Sequence, residues 1–164
     1  MKNRSMITAM MLLTAVTSCL AQFSVKYSPE VQPKGNIQYF TPVGGNQFVG
    51  DCIPFFREGT FYLYWLLDEG HHSALNGLGG HQWCVSTSTD LKNWIHHPIA
   101  IGIDEEWEKS ICTGSVAYDG KKHYAFYATR LILDDNSVNE QLSYAVSKDG
   151  LKYTKQKPNP FYTS

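Results

Sequence analysis

Beyond residue 48 the chain alternates short apolar, β-prone runs with clusters of turn residues, and few helix signals interrupt them. The runs come in a definite order. An apolar strand over 49–56 is followed by the turn Glu58-Gly59, an aromatic strand over 60–67, a long loop over 68–80, and a strand from His81 to Ser88. The turn Thr89-Asp90-Leu91-Lys92-Asn93 and a strand from Trp94 to Pro98 complete the series. A second series runs Ile111 to Tyr118, turn Asp119-Gly120, Lys122 to Thr129, loop Arg130 to Glu140, Gln141 to Ser147, turn Lys148-Asp149-Gly150, and Leu151 to Lys155. The pattern predicts an all-β domain over 49–164. Residues 22–48, rich in Pro, Gly, Gln and Asn, read as an extended N-terminal arm with a turn at Gly44-Gly45-Asn46.

The two series are copies of one unit. Their turn glycines are 61 residues apart (120 − 59), their turn aspartates 59 (149 − 90), and the glutamines near the start of their third strands 59 (141 − 82). Four antiparallel strands repeated in this way are the build of a β-propeller blade, so blades over 49–98 and 111–158 are expected. Blade topology puts the tight turns on one rim and the long loops on the other. Asp51 then shares the loop rim with His71, His72, Gly79-Gly80-His81, Asp104-Glu105-Glu106-Trp107-Glu108 and Ser110 to Ser115. Loops and an acid converging on one rim describe a binding site.

Asp51 is the residue this arrangement singles out. Within the apolar run Val49 to Phe56 it is expected on a buried hairpin strand, where ionisation is costly unless the charge is paired or used. The structural alternative is an aspartate that caps a turn or binds backbone amides at a strand start.

Composition narrows the partners. With 43% hydrophobic and 18% charged residues the chain is globular; with a net charge of -1 and no basic run longer than Lys121-Lys122, neither nucleic acid nor an anionic membrane surface is indicated. An aromatic share of 13%, with ten Tyr and four Trp, suits stacking on a neutral ligand such as a sugar. Residues 1–21 form a targeting segment: Lys2 and Arg4, the apolar run Met6 to Val16, then small residues around Ser18 and Ala21. Two cleavage readings stand, a signal peptide released after Ala21 and a bacterial lipoprotein box in which Cys19 carries lipid. Both export the protein, to the periplasm, the cell exterior or a lipid-anchored outer-membrane form. The apolar run is too short for a permanent span of ~20 residues.

Cleavage after Ala21 leaves Cys52, Cys84 and Cys112, an odd count in a compartment that permits disulfides. Their spacing fits no zinc or redox pattern, so they read as small buried apolar residues. His71, His72 and His81 share one loop without a Cys partner or a helix-type His pair, which fits hydrogen bonding to sugar better than metal binding. No metal or cofactor is called for.

Four stretches carry a resemblance: Asp51 opening an inner strand, Trp83 with Val85 through Trp94, Cys112-Thr113-Gly114-Ser115-Val116, and Gln141 through Gly150. In order and spacing they resemble the first two blades of glycoside hydrolase family 32, the invertases, levanases and inulinases, whose five-bladed propeller is shared with family 43. The resemblance covers roughly residues 49 to 155. It implies a retaining hydrolase of fructosyl linkages in oligo- or polysaccharides, with Asp51 as nucleophile, a Glu as acid/base and an Asp in an Arg-Asp-Pro motif as transition-state stabiliser. It also implies that Trp83 and the Thr113-Gly114-Ser115 backbone line the sugar subsite. A retaining pair requires two carboxyl groups about 5 to 5.5 Å apart.

The chain departs from the family at Gly50-Asp51-Cys52-Ile53, where Asn-Asp-Pro-Asn is usual, at Leu66, where a subsite Gln is usual, and at Cys112-Thr113-Gly114-Ser115, where Phe-Ser-Gly-Ser is usual. The acid/base and stabiliser belong to blades beyond Ser164, so this stretch is expected to be catalytically incompetent alone and, as an incomplete propeller with uncovered faces, to self-associate. Glu105, Glu106 and Glu108 read as an acidic solvated loop rather than a substitute acid. The alternatives to a fructosyl hydrolase are a non-catalytic carbohydrate-binding piece, using Trp83, Trp107 and His81 as its surface, and an arabinan- or xylan-directed enzyme like family 43.

Overall fold

The computed structural model describes residues 47–69 and 79–163. The expected targeting segment, the expected arm as far as residue 46, and His71 and His72 lie outside the described residues. Among the described residues nine strands form: β1 (Gln47–Arg57), β2 (Thr60–Glu69), β3 (Gln82–Ser88), β4 (Ile95–His96), β5 (Ser110–Tyr118), β6 (His123–Ile132), β7 (Val138–Ser147), β8 (Thr154–Lys155) and β9 (Tyr162–Thr163). They make two antiparallel sheets, β1-β2-β3-β4 and β5-β6-β7-β8, with β9 pairing β7 beyond β8. These are two propeller blades, each with its first strand innermost.

The strand boundaries differ from expectation at several ends, and β6 and β7 run into the expected loop Arg130 to Glu140, as far as Ile132 and from Val138. β1 starts two residues early, inside the expected arm; β4 and β8 are two residues each; and β9 was not anticipated. The short outer strands follow from turn chemistry. Ser88 Oγ accepts the amides of Asp90 and Leu91 (3.2 and 2.8 Å), and Asp90 Oδ1 accepts those of Lys92 and Asn93 (2.9 and 2.8 Å). In the second blade Ser147 Oγ accepts Asp149 and Gly150 (3.3 and 2.9 Å), and Asp149 Oδ1 accepts Leu151 and Lys152 (2.8 and 3.2 Å). Amides satisfied by side chains leave the ladder, so pairing resumes late. The same bonds, first from Asn93 and Lys92, hold the Asp90 carboxyl far below its usual range.

The main core lies between the blades. Ile53, Tyr64, Leu66, Trp83 and Val85 of the first sheet meet Ile111, Ala125, Tyr127, Ala145 and Tyr153 of the second, with Ala100 and Ile101 from the connection. Polar tips within it are paired: Tyr64 Oη donates to Gly150 O at 2.8 Å and lies 2.8 Å from Tyr153 Oη. Each fully buried large apolar side chain contributes roughly 1.5–3 kcal/mol. Because β2 buries both faces, its apolar run is unbroken: Trp65 and Leu67 pack with Cys84 on the opposite side. The expectation of an uncovered face on each side therefore fails at the first blade, where these three are buried. It holds at the second, where Phe126 and Leu142 are exposed and the rings of Phe126, Tyr144 and Phe161 pack on one another.

At the tight-turn rim the interface closes on His123, which is fully buried among the rings of Phe55, Tyr62 and Tyr118. Arg57 Nη1 lies 3.3 Å from His123 Nε2, and its guanidinium carbon 4.0 Å from the centre of the Tyr118 ring. A guanidinium can only donate, so Nε2 accepts and the imidazole is neutral. Burial first, and then the Arg57 charge, push its pKa down. Burial likewise lowers His96 and His97, whose rings bond Ser86 Oγ and Thr87 Oγ1 at 2.7 Å.

The unfolded chain takes up protons on these three imidazoles at their ordinary 6.5 while the fold resists. Stability is therefore complete above that pH and falls as pH drops below it. Urea unfolding at a series of pH values should show this decline, and His123→Phe, which keeps a ring in the box, should lessen its slope. An unchanged slope would contradict the assignment.

Candidate active site on the inner strands

Both innermost strands carry a bulge at the loop rim. β1 pairs Val49 with Leu67 and Cys52 with Trp65, so Gly50 and Asp51 together stand opposite Leu66. β5 pairs Ile111 with Thr129 and Gly114 with Tyr127, so Cys112 and Thr113 stand opposite Ala128. Asp51 and Thr113 are therefore equivalent, 62 residues apart (113 − 51), as are Tyr64 and Phe126 (126 − 64) through their partners Ile53 and Ser115. A bulge re-aims side chains and is common beside active sites. The expected burial of Asp51 does not hold: its side chain leaves the sheet at the bulge and is exposed, as are Thr113, Gly114 and Ser115 on the neighbouring strand. No hydrogen bond or ion pair from the described residues engages Asp51.

The thiols report what surrounds it. Burial pushes Cys52 up, and the Asp51 charge adds to the rise. Burial does the same at Cys112, opposed by its contact with Ser110 and by Arg130, and reinforced by Glu140 and Asp51. Asp51, Cys52, Cys112 and the Arg130–Glu140 pair (2.8 Å) thus share one neighbourhood. The reading of all three cysteines as buried holds for Cys84 alone, since Cys52 is exposed and Cys112 is half-buried. The bulge explains this, because it turns Cys52 away from the core.

Gly114 is where the bulge meets the next strand. A Cβ there would lie 1.9 Å from Phe126 O and 2.7 Å from Tyr127 Cα, so no other residue fits the strand as it stands.

Trp83 is corrected most. Its ring is fully buried, 5.8 Å from the Tyr64 ring and 6.0 Å from the Tyr127 ring, and cannot stack on a sugar. Its Nε1 instead donates to Cys112 O at 2.8 Å, holding the second bulge from below. His81 is also set back from the axial face: its amide donates to Ser110 Oγ at 3.2 Å, its Nδ1 lies 3.0 Å from that oxygen, and its Nε2 is 4.0 Å from buried Asp68 Oδ2. Asp68 was missed by sequence reasoning, while Ser110 was placed on the loop rim without a role of its own. The available signal was that Asp68, like Asp51, is an acid on an apolar strand at the loop rim.

Trp107 does not join this group. It borders a separate cavity with Glu105 and Glu108 toward the outer strand. Of the three expected solvated acids, Glu108 is buried and paired with Lys155, because the loop folds its amides around that carboxylate.

Among the described residues no group of three or more His, Cys, Asp or Glu is placed to hold a metal ion, and no helix is long and apolar enough to cross a membrane. The model for the glycosyl hydrolases family 32 N-terminal domain matches residues 53–164. The chain belongs to glycosyl hydrolase family 32. The match begins two residues past Asp51 and does not cover it.

Relatives of this family 32 chain agree. It is 32% identical over 91 residues to sucrose-6-phosphate hydrolase of Escherichia coli, covering 52% of this chain and 19% of that protein. Its fold matches a β-fructofuranosidase of Schwanniomyces occidentalis with a TM-score of 0.60 and 25% identity, over 76% of this chain and 26% of that one. A β-fructofuranosidase of Bombyx mori gives 0.58 and 25%, over 71% and 24%. The chain thus spans about a fifth to a quarter of the length of these relatives.

Three substitutions test the construction of the site. Trp83→Ala should cost ~3–5 kcal/mol by urea unfolding. Trp83→Phe, which keeps a ring and loses the bond to Cys112, should cost less; equal stability of Trp83→Ala and the parent would place Trp83 outside the core. Gly114→Ala forces the backbone of β6 to move and should cost about 3 kcal/mol or more. A fully stable Gly114→Ala would show that the bulge tolerates a side chain.

Proposed function

We propose that this chain is the N-terminal portion of an exported, retaining glycoside hydrolase that cleaves fructosyl linkages in an oligo- or polysaccharide, with Asp51 as nucleophile. The observation that carries the reading is the exposed carboxylate at the bulge of one inner strand, beside the exposed Thr113-Gly114-Ser115 stretch at the equivalent bulge of the next. The similar proteins named sucrose-6-phosphate hydrolase and β-fructofuranosidase support the fructosyl class. The family match favours it over an arabinan- or xylan-directed activity.

In this reading Asp51 attacks the anomeric carbon, and the carboxyl groups that protonate the leaving oxygen and stabilise the transition state come from later blades. Phe126 and Leu142 support such blades. They occupy in the second blade the positions of Tyr64 and Trp83 in the first, and those two are buried against the following blade. Without a following blade, this face favours self-association. The targeting segment supports export and leaves open whether Cys19 carries lipid.

The assay is release of fructose from sucrose, levan and inulin by the 164-residue chain and by the product of its complete gene, each with Asp51→Asn. The chain alone should show no turnover. The complete product should hydrolyse at least one of the three, and Asp51→Asn should lower its kcat by at least ~10². Hydrolysis unchanged in Asp51→Asn would remove Asp51 from the mechanism.

A further inference from the structure

A cavity of about 360 Å³ lies at the loop rim, outside the Asp51 site, lined by Glu105, Trp107, Glu108, Lys155 and the stretch 156–160. Its outer wall follows β8, three strands from β5, so at ~4.8 Å per strand it stands about 14 Å from the inner strand. We propose that this cavity is a second saccharide site, holding a neutral sugar unit of the same polymer against the Trp107 ring. The ligand class rests on the function proposed above; the site itself rests on four observations.

The first is Trp107. It is half-buried, and no hydrogen bond or ring contact with the described residues occupies it. An amphipathic ring held at the mouth of a cavity offers a sugar an apolar face and an N–H donor.

The second is Glu108, only 2% exposed. Its Oε2 accepts the amides of Asp104 and Glu105 (3.3 and 3.2 Å) and the Lys155 ammonium, while Oε1 has no hydrogen-bond partner. A buried carboxylate oxygen without a donor costs stability unless something donates to it.

Rigidity is the third. Asn159 pairs both ways with the Tyr144 backbone, Oδ1 accepting from N at 2.9 Å and Nδ2 donating to O at 3.1 Å, and Pro158 and Pro160 flank it. A wall fixed before binding loses little entropy on binding.

The fourth is charge. The lining carries two carboxylates, Glu105 and Glu108, and two ammoniums, Lys155 and Lys157, so neither a phosphate nor a cation is favoured over a neutral polyol. The volume falls within the ~300–1,000 Å³ of small-ligand sites.

The test is electrophoresis of the folded chain in native gels containing inulin or levan, which reads binding without catalysis. Retardation of the parent and of Asp51→Asn is expected. Trp107→Ala should weaken it about three- to tenfold, the stacking contribution of one ring, with Trp107→Phe in between. Circular dichroism confirms that each variant is folded. A parent that neither polymer retards, or retardation unchanged in Trp107→Ala, overturns the site. Retardation lost in Asp51→Asn but kept in Trp107→Ala leaves the axial site as the saccharide site and also overturns it. Trp107-dependent binding by a protein whose complete gene product hydrolyses no fructoside sinks the proposed function and leaves this inference standing.

Discussion

The rest of this structure depends on the packing of one blade's forward face onto the next. Tyr64, Leu66 and Trp83 fill the gap to Ile111, Ala125 and Tyr127, and the Trp83 indole reaches across to the Cys112 carbonyl. That bond ties the core to the bulge in β5, and so fixes where Thr113 and Gly114 stand relative to Asp51 on β1. The apolar term supplies most of the energy, and the hydrogen bond supplies the register. A sheet edge held only by apolar contact can slide; one whose bulged carbonyl accepts from a buried indole cannot do so without leaving a donor unpaired.

The same interface explains why the two rims differ. At the tight-turn rim it closes completely, with His123 held neutral among rings and beside a guanidinium. At the loop rim the described groups around the two bulges are polar, with Asp51 and Thr113 exposed and Asp68, Glu108 and Ser110 buried. A binding edge built on a closed, stiff base keeps its geometry while its loops vary.

The blades were legible in the sequence because their turns are chemical rather than merely polar. Ser88 and Asp90 recur as Ser147 and Asp149, and their side chains hold the same amides in both copies. A repeat of that kind survives divergence of the strands between. Strand lengths were less legible, since the same side-chain bonds take amides from the ladder and shorten β4 and β8. The place of Asp51 on an inner strand was legible and its environment was not. Asp51 reads as buried because its neighbours are apolar, yet the bulge at Gly50 and Asp51 turns the carboxylate out, and a shift of register leaves no mark in composition. Trp83 was misread for the opposite reason. Aromatic residues in sugar-binding proteins serve both surface and core, and only the packing of Tyr64 and Tyr127 around this one decides between them. Glu108 shows the same limit: three nearby acids look alike in sequence, and Lys155, 47 residues away, selects one of them for burial.

The central claim is that the carboxylate at the β1 bulge forms a bond to sugar. A retaining hydrolase passes through a covalent glycosyl-enzyme ester. Acid quenching of the complete gene product during turnover of sucrose or levan, followed by proteolysis and mass spectrometry, reads that ester directly. The account predicts a hexosyl adduct on the peptide containing Asp51, absent from Asp51→Asn. An adduct on another carboxylate, with the Asp51 peptide unmodified during active turnover, would contradict it.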